Sequence, residues 1–112
     1  MKRTLMIAFV ALGLLLGATA CDRGDPVRSA IKQSFPDQYD KALSVARCES
    51  GLNPEAVSPG GGNWGLFQIN RVHASLVESM GYSWDQITDP YVNSKVAREV
   101  YNSSGWSAWA CG

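Results

Sequence analysis

The 112-residue chain has no net charge to speak of: ten Lys and Arg balance ten Asp and Glu. It also has no run of basic residues, which argues against nucleic acid as a partner. There is one histidine, His73, and there are three cysteines, none at the spacing of a metal-ligand set. Nothing therefore points to a metal or to any other cofactor. No internal repeat is present, and low complexity is confined to Gly60-Gly61-Gly62. The one long apolar run, Leu5 to Leu16, falls short of the roughly 20 residues that a membrane-spanning helix needs.

That run follows Lys2 and Arg3 and precedes Gly17-Ala18-Thr19-Ala20, so residues 1–20 read as a signal peptide. Ala18-Thr19-Ala20 is an A-x-A cleavage site and is also similar to a bacterial lipobox, with Cys21 as the residue to be lipidated. The two readings give an exported, membrane-anchored lipoprotein or a freely secreted protein. Residues 21–25 then serve as anchor and polar spacer, and residues 26–112 as one small domain. Without Lys2 and Arg3, eight basic residues face ten acidic ones.

Three cysteines in an exported chain leave one odd thiol. If Cys21 carries lipid, Cys48 and Cys111 remain as a pair, the alternative being two unrelated buried thiols. A disulfide between them closes a loop of roughly 63 residues, worth about 4 kcal/mol in the chain-entropy account.

The spacing predicts a mainly α domain. Asp25-Pro26 is an N-cap followed by proline at the first helical position, opening a helix to about Ser34 that buries Val27, Ala30 and Ile31. Phe35-Pro36 breaks it. A second helix is expected over about 37–49, with Tyr39, Ala42, Leu43 and Ala46 on one stripe, and that stripe continues onto Glu49. Residues 50–65 are turn chemistry, with a loop or a short β-hairpin around 56–67. A helical pattern returns over 70–80 through Val72, Leu76 and Met80, with Gly81 at its C-terminal cap. One further turn is expected over 83–87. A longer helix starts at Asp89-Pro90, carrying Asn93, Val96, Ala97, Val100 and Tyr101.

Glu49 is the residue with the clearest chemistry. A carboxyl at the C-terminal end of a helix meets the negative end of the macrodipole, and apolar neighbours add to the effect. Both suit an acid that must deliver a proton to a glycosidic oxygen. The competing reading is a helix-end glutamate paired with Arg47 or Arg71. Gln68 and Asn70 offer amide donors and acceptors suited to hydroxyl and acetamido groups, although Asn70 also suits an N-cap. Trp64, beside the glycine run, is a candidate for stacking on a sugar, whereas Trp106 and Trp109 are expected in the core.

The string Glu49-Ser50-Gly51-Leu52-Asn53-Pro54, then Ala56, Ser58 and Gly65-Leu66-Phe67-Gln68-Ile69-Asn70, resembles the soluble lytic transglycosylases of the lysozyme superfamily. Asp89-Pro90, Asn93 and Tyr101 resemble that family's third motif. Cys48 before the glutamate and the tryptophan pair before Cys111 are similar to resuscitation-promoting factors. The resemblance implies a small lysozyme-like domain that cleaves the MurNAc-GlcNAc β-1,4 bond of peptidoglycan. It makes Glu49 the catalytic acid and later the base, and lines the glycan cleft with Ser58, Gln68, Asn93 and Tyr101. The implied partners are glycan strands and, through a lipid on Cys21, the membrane, with the chain acting as a monomer.

Ordinary glycosidases use two carboxyl groups, about 5–5.5 Å or about 6.5–9.5 Å apart. Here Glu55 lies in a loop, and Asp85 and Asp89 are remote in sequence. One acid suits a transglycosylase that closes an anhydro ring without water. Hydrolysis by a lysozyme-type route and a non-catalytic peptidoglycan-binding lipoprotein are the alternatives.

Overall fold

The computed structural model describes residues 24–112. The expected signal peptide and the lipidation of Cys21 lie outside the described residues. The architecture is mainly helical, with one very small hairpin. Helix α1 spans Pro26–Ser34 and starts where the Asp25 carboxylate accepts the Arg28 N–H at 3.0 Å. Proline at its first position costs no hydrogen bond, because that N–H would be unpaired in any helix. Ala30 and Ile31 are buried along α1, and Phe35, which ends it, is buried as well; Val27 only packs at the edge.

Helix α2 spans Tyr39–Ser50 and ends on Gly51, whose left-handed conformation (φ 64°) lets its N–H reach the Arg47 carbonyl. It begins later than the periodicity suggests, with Gln38 as its N-cap, while Asp37 just before it pairs with Arg98 at 2.6 Å. The inward stripe of α2 is Ala42, Val45 and Ala46, with Tyr39 and Leu43 half-buried at its flanks.

The hairpin pairs β1 (Asn63–Trp64) with β2 (Ile69–Asn70), antiparallel, with Asn63 opposite Asn70 and Trp64 opposite Ile69. It sits a few residues later than expected, since only Val57 from the earlier segment bridges to Trp64. Leu66 and Phe67, in the turn, plug fully into the core.

A 3-10 turn over Arg71–His73 leads into helix α3 (Ala74–Ser79). The continuous helix expected over 70–80 is thus split, and Val72 is 75 % exposed while Val77 is buried. The Asn70 side chain accepts the Val72 N–H at 2.9 Å, and the tighter turn that follows shifts the phase of the inward face. A second 3-10 turn covers Trp84–Gln86. Helix α4 (Pro90–Ser104) opens with Asp89 accepting from Tyr91 and Val92 at 2.8 and 3.2 Å. It packs along α1 and buries Val92, Val96, Ala97 and Val100. A last 3-10 turn, Gly105–Ala108, delivers buried Trp109 to the core, where its indole N–H donates to the Phe67 carbonyl at 2.8 Å. Cys48 and Cys111 form a disulfide that ties this tail to α2. No described helix is long and apolar enough to cross a membrane.

Candidate active site

Glu49 sits in the last turn of α2, half-buried, between the disulfide cysteine Cys48 and Ser50. Two contacts fix its surroundings. Its Oε2 accepts the backbone N–H of Cys111 at 3.2 Å, so the tail reaches the carboxylate directly. The Ser50 hydroxyl donates to the Leu66 carbonyl at 2.7 Å and lies 3.0 Å from the Ala46 carbonyl, which holds the end of α2 against the hairpin turn. Neither Arg47 nor Arg71 forms an ion pair with Glu49 among the described residues.

A recess of about 170 Å³ lies between the hairpin, α4 and the C-terminal tail. Gln68, Asn70, Asn63 and His73 supply its polar wall, and Trp109 and Val100 part of its apolar one. Glu49 does not line it. The link is the tail: Trp109 walls the recess and Cys111, two residues on, contacts Glu49.

Gln68 is the best-placed of the predicted glycan contacts. Its backbone is left-handed (φ 49°), an uncommon and costly state for a residue other than glycine. The side-chain amide nitrogen donates to the Ala56 and Gly65 carbonyls, both at 3.1 Å. Its carbonyl oxygen has no protein partner among the described residues. Asn70 is both cap and lining: besides capping the 3-10 turn, it donates to the Asn63 side chain at 2.9 Å.

The other predicted contacts are placed differently. Asn93 is fully buried, with its oxygen accepting the Phe67 N–H at 2.8 Å and its nitrogen donating to the Ile87 and Trp64 carbonyls at 2.8 and 3.1 Å. An amide with no exposed surface cannot touch a glycan, so its expected place in the cleft wall gives way to a positioning role, holding the hairpin that carries Gln68. Ser58 accepts the Asn63 N–H at 3.0 Å and shapes the turn around the glycines. The Tyr101 hydroxyl bonds the Gln38 side chain, which also accepts the Trp106 indole N–H at 3.0 Å, and its ring packs 4.7 Å from Trp106. Trp64 is half-buried, donating to the Gly61 carbonyl at 2.8 Å and meeting Trp84 edge-on.

Three residues were missed in the sequence. Asn63 and His73 line the recess and Gln38 organises the Tyr101–Trp106 pair. The signal for His73 is its place three residues after Asn70, since residues three apart share a helix face.

Of possible second carboxylates, Asp89 is engaged in capping α4, and Glu55 and Asp85 are exposed. Among the described residues no cluster of three His, Cys, Asp or Glu side chains could hold a metal. The arrangement offers one half-buried carboxyl group contacted by the tail and an amide-lined recess that the same tail helps to wall.

No curated protein and no solved structure matches the chain at a significant level. The family model of the transglycosylase SLT domain matches residues 27–104, from the first turn of α1 to the end of α4, and the chain belongs to that family.

Proposed function

We propose that this chain cleaves the β-1,4 bond between MurNAc and GlcNAc in peptidoglycan, with Glu49 as its single catalytic group and no cofactor. The observation that carries the reading is the Glu49 carboxyl, held at the end of α2 by the Cys111 N–H and joined through the same tail to the recess walled by Gln68 and Asn70.

In this mechanism the Glu49 carboxylic acid protonates the glycosidic oxygen, and the C1–O bond breaks with its electrons leaving on that oxygen. The neighbouring N-acetyl group stabilises the positive charge at C1. The Glu49 carboxylate then takes the proton from the 6-hydroxyl, and O6 bonds to C1 to close a 1,6-anhydro ring. The glutamic acid is regenerated and no water is consumed. The free Gln68 carbonyl oxygen is suited to accept from an acetamido N–H or a sugar hydroxyl. The chain acts outside the cytoplasm, tethered by a lipid on Cys21.

Mass spectrometry of fragments released from purified peptidoglycan by the full chain tests this. Anhydro-muramyl ends that vanish in Glu49→Gln, with the circular dichroism spectrum unchanged, are expected. Reducing ends would mean hydrolysis and direct attention to Glu55. Release of no fragments by a folded chain that still binds the wall would make it a binding lipoprotein.

A further inference from the structure

Arg71 opens the 3-10 turn directly after the recess residue Asn70, with its N–H on the Gly62 carbonyl, while Trp64 sits opposite Ile69, so Arg71 and Trp64 are diagonal neighbours across the hairpin. The Arg71 guanidinium lies over two indoles, 5.8 Å from the centre of Trp64 and 5.1 Å from that of Trp84. Those two rings meet edge to face at 6.3 Å and form a wedge under the cation. The Trp84 indole nitrogen is buried without a partner among the described residues, so ring packing rather than hydrogen bonding keeps this indole in place. Two ion pairs form among the described residues, Arg28–Asp25 and Arg98–Asp37, and Arg71 belongs to neither. It is exposed.

A guanidinium stacked by its face keeps its N–H edge free, and that edge matches a carboxylate with two parallel hydrogen bonds. Stacking also removes much of the side-chain freedom that such a contact would otherwise have to freeze. The ligand chemistry follows from what a glycan strand carries. Its sugar rings are neutral once the lactyl carboxyl of muramic acid is joined to the stem peptide by an amide. The carboxylates of an intact strand all belong to the peptide.

We propose that Arg71, mounted on Trp64 and Trp84, binds a carboxylate of the muramyl stem peptide and makes the site selective for peptide-bearing strands. This rests on the reading of the recess as a glycan site, but not on turnover. The contact is partly solvated, so its effect is modest, about fivefold in affinity.

The test measures binding rather than cleavage. The full chain carrying Glu49→Gln is titrated with soluble glycan strands, free of attached phosphate polymers, whose stem-peptide carboxylates are either free or converted to methylamides. Adding Arg71→Gln is expected to weaken binding about fivefold for the free-carboxylate strands and to leave the methylamide strands unchanged. Arg71→Lys, which keeps the charge but loses the fork, should fall between the two. Equal losses on both substrates would make Arg71 a structural residue, and no loss on either would leave the carboxylate unrecognised; each result overturns the proposal. Absence of anhydro ends in the cleavage experiment would overturn the catalytic reading and leave this one standing.

Discussion

Asn93 and Phe67, 26 residues apart in sequence, are joined by a buried 2.8 Å hydrogen bond from the Phe67 backbone N–H to the Asn93 side-chain oxygen. Asn93 acts as a three-way connector. With its nitrogen on the Trp64 and Ile87 carbonyls, it ties the hairpin and its turn to the segment before α4, and the hairpin is only two residues long on each side. The side chain takes the place of a longer ladder.

Asn93→Ala removes all three of these bonds to the backbone. Each unsatisfied buried group costs on the order of 1 kcal/mol or more, so the variant should lose about 3 kcal/mol of stability. Urea unfolding of the full chain measures this. A loss under about 1 kcal/mol would mean that water replaces the amide.

Gln68 separates contact from architecture in another way. Its left-handed backbone suits glycine, so Gln68→Gly relieves a conformational cost of about 1 kcal/mol while giving up the two bonds to Ala56 and Gly65. The two effects roughly cancel, and the melting temperature should change little. KM for peptidoglycan should rise about tenfold, because a side chain that lines the recess is gone. Unchanged KM would remove Gln68 from the glycan contacts.

The Arg98–Asp37 pair sets an acid-side prediction. A side-chain hydrogen bond from Arg98 holds the Asp37 carboxyl below its ordinary value of 3.8, and the same bond raises Arg98. A depressed carboxylate contributes stability above its unfolded pKa and loses it as pH falls through the folded one. The contribution is therefore fully present at neutral pH and disappears below about pH 3.8. Asp25, lowered by hydrogen bonds to the Arg28 backbone and side chain, behaves in the same sense. Asp37→Asn should flatten, without abolishing, the fall in stability on acidification, and chemical denaturation at a series of pH values reads it. An unchanged slope would show that solvent screens the pair.

Much of this organisation is written locally. Asp25-Pro26 and Asp89-Pro90 announce two helices because cap and proline chemistry act within one turn, and both begin there. The inward stripe through Ala42 and Ala46 reaches the half-buried Glu49 because α2 is regular up to Gly51. Legibility fails where side chains from far along the chain decide. The position of the hairpin depends on Asn93, and the phase after Asn70 depends on a cap that tightens the first turn, which exposes Val72. Asn93 reads as inward-facing from periodicity, but whether an inward amide meets a ligand or the backbone is fixed only by what lies opposite it. His73 is not legible as a lining residue on its own, because a lone histidine carries no spacing signal.

The disulfide joins positions separated by 63 residues, and Cys111 is also the residue that steadies the Glu49 carboxylate. Glu49 is therefore synthesised well before the tail residue that completes its surroundings. Helix α2 can form early from local contacts, but the Glu49 carboxylate gains its Cys111 contact only when the C-terminal tail returns to α2, where the disulfide then holds it. The surroundings of Glu49 are thereby locked only where conditions are oxidising enough to close the disulfide.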